Sequence, residues 1–307
     1  MSELPKRQLG RTGLQVTMLG YGAMELRGPG ARRGPELSPQ ENRSVLNAVL
    51  DAGINFIDTS IDYGQSEEII GKYISERRSE FYLATKCGCP VTGTAPQQGQ
   101  PREHVFTRQN IIAGINQSLA RLATDYVDVL QFHASPSKET LEENSAIETV
   151  LDLKREGKVR FIGMSSSLPN LRDHIAMGVF DTFQIPYSAL QREHEEVITQ
   201  AAQAGAGIII RGGAARGGPA EGKQRGDAWD IWQRAGLDDL LDGMTRMEFI
   251  LRFTLSHPDL HTTIVGTTNL DHLNDNLRAL EKGPLPTDLY AEAESRLAAA
   301  GVVPSPS

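Results

Sequence analysis

A chain of 307 residues is long enough for two average domains and is also the ordinary size of one barrel with additions. Hydrophobic residues make up 39% and charged residues 23%, without a biased block, which excludes gross disorder and provides for a sizeable core. The formal net charge of -8 disfavours nucleic acid and anionic membranes as partners, and no apolar run approaches the roughly 20 residues that span a bilayer.

Residues 6–8 and 15–17 flank the turn-rich Gly10-Arg11-Thr12-Gly13, which predicts a short opening hairpin. A strand follows over 18–21, then a glycine- and arginine-rich loop up to Glu36. Ser38 is placed to cap a helix, with Pro39 at its first position and Glu41 at its third, and Val45, Leu46, Val49 and Leu50 form its apolar stripe up to Gly53. The run Asn55-Phe56-Ile57-Asp58 reads as a buried strand delivering an acid to its rim, with Tyr63 in the loop just beyond.

The same alternation continues along the chain. Helix is expected over 67–74, strand over 81–85 ending in Lys86, and a long loop over 88–105 rich in Gly, Pro, Gln and Thr. Thr107 is placed to cap a helix up to Leu122, and strand 126–132 ends in His133. Helix 140–156, strand 159–164, helix 168–177, strand 182–185, helix 193–204 and strand 207–210 come next. A second glycine-rich loop over 214–226 precedes helix 244–256, strand 262–265 and closing helices over 270–280 and 287–299. The two loops are expected to wall a substrate pocket.

Eight short apolar strands, each followed by helix, imply parallel pairing and a single α/β domain over 1–307. This is a (β/α)8 TIM barrel with an N-terminal β-hairpin and additional helices. The open doubly wound alternative lacks the Gly-x-Gly-x-x-Gly turn after its first strand. In the barrel, Asp58, Lys86 and His133 end three consecutive strands and converge with Tyr63 on one face.

That set is chemically coherent. A phenol has a reference pKa of about 10, and a neighbouring ammonium brings proton donation within reach. Lys86 supplies that charge, Asp58 holds Lys86, and His133 is placed to donate to a substrate carbonyl or join a proton relay. Cys87 and Cys89, one residue apart, are poorly placed for a disulfide. They have no second pair or nearby histidine in sequence to complete a metal site, so no metal is expected.

The chain resembles the aldo-keto reductases. The resemblance rests on Gly20-Tyr21-Gly22-Ala23-Met24, Asn55-Phe56-Ile57-Asp58-Thr59 with Tyr63-Gly64, Thr85-Lys86, Gln131-Phe132-His133 and Val159-Arg160-Phe161-Ile162-Gly163-Met164-Ser165. It implies a barrel binding NADPH, or NADH, without a Rossmann domain, and Asp58, Tyr63, Lys86 and His133 as a catalytic tetrad reducing an aldehyde or ketone. It further implies cofactor contacts from Gly22, Ala23, Met24 and Asp58. Ser165, Ser166 and Gln184 fall at the carboxamide positions, with Ser166 where asparagine is usual. Arg211 stands where an aromatic residue commonly stacks, followed by Gly212 and Gly213 near the pyrophosphate. Gly266, Thr267, Thr268, His272, Asp275 and Asn276 fall at the adenosine phosphate end, without the Arg or Lys that many members place at Thr268 or His272.

The alternative is a nucleotide-binding redox-sensing or regulatory subunit with slow turnover. A Schiff-base aldolase or isomerase is disfavoured, because Asp58 beside Lys86 would raise a pKa that such chemistry needs lowered. The opening residues lack the apolar centre of a signal peptide, so a cytoplasmic location is expected.

Overall fold

Eight strands close into a parallel barrel in which each pairs with its neighbours in chain order and the last pairs with the first. The computed structural model describes residues 3–28, 36–91, 103–224 and 226–306. The barrel strands are β3 (Leu19–Gly22), β4 (Phe56–Asp58), β5 (Tyr82–Cys87), β6 (Val127–Phe132), β7 (Val159–Ser165), β8 (Thr182–Pro186), β9 (Gly207–Arg211) and β10 (Thr262–Val265). They are near-continuous apolar runs, as strands covered on both faces must be. Most of the loop expected over 88–105, and most of the glycine- and arginine-rich stretch before Glu36, lie outside the described residues.

A two-stranded antiparallel hairpin, β1 (Lys6–Gln8) with β2 (Gln15–Thr17), stoppers the end of the barrel where the strands begin. Its Leu9, Leu14 and Val16 are buried in one cluster with the inward-facing Phe56, Ala84, Val129 and Ile209. The approach is close. Gly10 has φ 49°, and a Cβ there would meet the Gly207 nitrogen at 2.3 Å, so only glycine fits this turn. Polar chemistry is thereby confined to the opposite end of the barrel.

The helices form the outer layer. They are α1 (Pro39–Asp51), α2 (Ser66–Ile74), α3 (Arg108–Leu122), α4 (Lys138–Glu143), α5 (Ala146–Arg155), α6 (Leu171–Met177), α7 (Glu195–Gln203), α8 (Asp227–Arg234), α9 (Arg246–Leu255), α10 (Leu270–Lys282) and α11 (Thr287–Ala299). The expected caps form. Ser38 Oγ accepts from the Glu41 nitrogen while the Glu41 carboxylate accepts from the Ser38 nitrogen, and the Thr107 side chain accepts from Asn110.

Three expectations need correction. The helix expected over 140–156 is two helices, because Ser145 adopts φ 48° and interrupts the spiral between α4 and α5. The helix expected from 168 starts only at Leu171, after the cis Leu168-Pro169 bond. A further helix, α8, follows the second glycine-rich loop, and its Trp232 is fully buried edge-on to Phe249 with its indole nitrogen bonded to Asp238.

Candidate active site

The strand register dictates which side chains meet. Asp58 lies opposite Ala84, and Lys86 follows two residues later on the same inward face, directly beside Gln131 of β6. Gln131 in turn faces Gly163, where a Cβ would come within 2.8 Å of the glutamine's own Cγ, so the glycine makes room for that side chain. Gln184 reaches inward from β8.

These side chains close a cage around one carboxylate. Lys86 Nζ donates to Asp58 Oδ2 at 2.7 Å and to the Thr59 carbonyl at 2.8 Å. Gln131 and Gln184 each donate to Asp58 Oδ1 at 2.8 Å. Asp58 and Lys86 are both 1% exposed, so the pair is held away from water. Burial pulls the Lys86 ammonium down, but Asp58, Tyr63 and Asp62 outweigh it, and the group stays well above an ordinary lysine. Lys86 is therefore a fixed positive charge.

Tyr63 sits above that charge, in a turn where its nitrogen donates to the Ser60 carbonyl and its carbonyl accepts from Ser66 at the start of α2. Lys86 Nζ lies 4.9 Å from its ring centroid, and the Arg27 guanidinium lies 5.6 Å from it. Burial raises the phenol above its ordinary pKa and Lys86 pulls it back, so the ammonium acts in the expected direction without prevailing. His133 extends the β6 ladder by donating its nitrogen to the Cys87 carbonyl, and its ring stands edge-on to Tyr63 at 6.2 Å. Burial, reinforced by Lys86, holds the imidazole down at about 3, so it is neutral at physiological pH. Cys89, 3.3 Å from His133 Nδ1, is a thiol pushed up to about 12 by burial and by Asp62.

These residues open onto a cleft of about 1690 Å3 that runs along the strand ends. Asp58, Tyr63 and His133 line it, with Gly22, Met24, Ser165 and Gln184. Arg211 and Gly212 line it too, as do Gly266, Thr267, Thr268, His272, Asp275 and Asn276. Lys86 lies below its floor.

Three of the sequence-derived cofactor positions do not line this cleft. Ser166 is fully buried, with its hydroxyl bonded to His174 Nδ1 at 2.8 Å and to Ser135 at 3.1 Å. Gly213 turns its carbonyl to Thr254, and a Cβ there would meet Thr263 Oγ1 at 2.3 Å, so packing against α9 and β10 accounts for the glycine. Ala23 is buried, and its carbonyl accepts from Ser66. Gly266 does line the cleft, but a Cβ there would meet the Gly22 carbonyl oxygen at 2.6 Å, so strand packing accounts for that glycine too.

The donor set fits a dinucleotide. The Arg211 Nε is buried with no hydrogen-bond partner among the described residues, which leaves a cationic donor unsatisfied beside the cleft. Ser165 Oγ and Gln184 add polar atoms beside Asp58, where Ser165 donates to Gln184 Oε1 at 3.3 Å. Sequence reading missed cations on the same walls: Arg216 and Lys223 line the cleft, as do Arg246, Arg278 and Lys282, which pair with Asp238, Asp275 and Glu248. It also missed Gln131, which was noticed as a motif residue but not as the partner of Asp58.

A family model described as the aldo/keto reductase family matches residues 18–297. The chain belongs to this family, and it is an NAD(P)H-dependent oxidoreductase. It is 27% identical over 292 residues to an uncharacterized oxidoreductase, YqkF, of Bacillus subtilis, covering 89% of this chain and 90% of that one. It is also 27% identical to a probable voltage-gated potassium channel subunit beta of Oryza sativa, over 92% of each chain. The holo form of the aldo-keto reductase AKR11C1 from Bacillus halodurans superposes with a TM-score of 0.82 at 28% identity, over 96% of both chains.

Proposed function

We propose that the protein reduces an aldehyde or ketone to an alcohol, with NADPH as the preferred cofactor and Tyr63 as the general acid. The observation that carries this reading is the convergence of Tyr63, His133 and the buried Asp58–Lys86 pair at a cleft of about 1690 Å3 that Arg211, Arg216 and Lys223 also line. NADPH supplies the hydride when bound. Tyr63 gives its hydroxyl proton to the oxygen of the carbonyl as negative charge grows there, and the Lys86 ammonium stabilises the phenolate left behind. Neutral His133 donates a hydrogen bond to the same oxygen, which helps most in the transition state.

The cofactor preference is supported by Arg216 and Lys223, which line the cleft and form no salt bridge with a described residue, together with His272 and the Thr268 hydroxyl. A 2'-phosphate needs such donors and NADH does not. The test is oxidation of NADPH and of NADH with a panel of aldehydes and ketones, by wild type and Tyr63→Phe. Turnover with at least one carbonyl, reduced about 100-fold or more in the variant, supports the reading.

A second reading is a nucleotide-binding regulatory subunit with slow turnover, favoured by the similarity to a protein named as a channel beta subunit. Tight NADPH binding without oxidation by any carbonyl of the panel would select it over the first.

A further inference from the structure

We propose that Asp62, Cys89, His104 and His133 form a binding site for a zinc-type divalent cation beside the catalytic pocket. The four residues come from four separate stretches of chain: the turn after β4, the residues just past β5, the segment leading to α3, and the end of β6. Each offers one ligand atom, and the four atoms lie within 4.8 Å of one another.

The geometry suits a tetrahedral ion. With Zn–N and Zn–O bonds of about 2.0 Å and a Zn–S bond of about 2.3 Å, the edges of the ligand tetrahedron are about 3.3 to 3.5 Å. Cys89 Sγ lies 3.3 Å from His133 Nδ1, and His133 Nδ1 lies 3.7 Å from Asp62 Oδ1, each within a few tenths of an ångström of such an edge. The His104 and His133 rings meet at right angles, 5.1 Å between centroids, so their nitrogens approach one region from two directions.

The chemistry of the set selects the metal. One sulfur, two imidazole nitrogens and one carboxylate oxygen suit a borderline ion such as Zn2+ and not Mg2+ or Ca2+, which take oxygen ligands. Thiolate and carboxylate together neutralise its two charges. On binding, the Zn–S bond replaces the Cys89 S–H bond and the proton leaves to solvent. Ser60 orients the ligands from behind, donating to Asp62 Oδ1 at 2.7 Å and lying 3.6 Å from Cys89 Sγ. Coordination through Nδ1 also leaves the proton of the neutral His133 ring on Nε2.

In sequence Cys89 has no histidine beside it. The fold brings two to it, whereas Cys87 belongs to no such group among the described residues and its side chain faces away from the barrel interior into the core that packs the helices. The proposal does not depend on the reductase reading, because binding is measured without turnover.

The test uses the full chain after chelator treatment, titrated with Zn2+ by calorimetry and with Co2+ by absorption. One ion per chain is expected, and Co2+ should give tetrahedral ligand-field bands with a thiolate charge-transfer band. Cys89→Ser should remove the charge-transfer band. Cys89→Ser and His104→Ala should each weaken Zn2+ binding about tenfold or more, while Cys87→Ser leaves it unchanged. His104 lies outside any helix or strand, so its variant reports even where Cys89→Ser does not fold. Absence of Zn2+ binding by the wild type, binding indifferent to His104→Ala, or a charge-transfer band that persists in Cys89→Ser overturns the proposal.

Discussion

Asp58 Oδ2 receives the Lys86 ammonium at 2.7 Å in a position where both side chains are nearly out of contact with solvent. Removing one partner of such a pair leaves an uncompensated buried charge, which costs about 3–5 kcal/mol. The two removals are unequal. Lys86→Met leaves the carboxylate with two amide donors, Gln131 and Gln184, whereas Asp58→Asn leaves the ammonium with neutral acceptors alone, an amide oxygen in place of the carboxylate and the Thr59 carbonyl. Asp58→Asn is therefore expected to lower the free energy of urea unfolding more than Lys86→Met, and the opposite order would show that the glutamines do not support the carboxylate.

Leu9 fills the barrel end remote from Tyr63 and is fully buried. Truncating a packed leucine costs about 2–5 kcal/mol through lost burial and the cavity left behind. Leu9→Ala should lower the thermal midpoint while kcat and KM, measured well below that midpoint, stay within twofold. A change in KM for cofactor would mean that the stopper is coupled to the opposite rim.

The eight strands were readable in the sequence because parallel strands covered on both faces are largely apolar, and Asp58, Lys86 and His133 stood out as polar residues ending them. The break at Ser145 was not legible, since the apolar stripe of the two helices continues across it. Helix α8 was missed because its start abuts a glycine-rich run, although Ala228, Ile231 and Trp232 keep helical spacing. Gln131 and Cys89 acquire partners only when the barrel closes and sets their neighbours' register. Ser166 illustrates the reverse, a residue in the expected position whose hydroxyl is already engaged from behind by His174.

That histidine also bears on acid stability. His174 Nε2 donates to the Pro136 carbonyl at 2.8 Å, so the neutral ring presents Nδ1 as an acceptor to Ser166. Burial holds its pKa below the ordinary value, against the opposing pull of the Pro136 bond, and burial does the same for His257 and His261. Histidines depressed in the folded state take protons more readily when unfolded. Their contribution to stability is thus complete above the unfolded pKa of about 6.5 and is lost as pH falls below it. The urea midpoint should decline between about pH 7 and pH 5, and less steeply in His174→Gln. An equal slope in that variant would remove His174 from the explanation.

Arg211 sits where stability and binding should respond in opposite directions. Its guanidinium is partly buried at the end of β9, with Nε lacking a partner among the described residues, and burial together with Arg216 lowers its pKa. An unpaired, desolvated cation destabilises the cofactor-free protein, so Arg211→Leu should raise its unfolding free energy by about 1 kcal/mol. On the reading proposed above, the same cation meets the negatively charged dinucleotide, and a hydrogen bond to a charged group contributes about 1.5–3 kcal/mol. Arg211→Leu should therefore weaken NADPH binding about tenfold or more, measured by quenching of intrinsic fluorescence, and should flatten its dependence on salt. Arg211→Lys should recover part of the affinity, since it restores the charge but not the planar fork. Loss of both stability and affinity in Arg211→Leu would instead identify Arg211 as a packing residue of the β9 terminus.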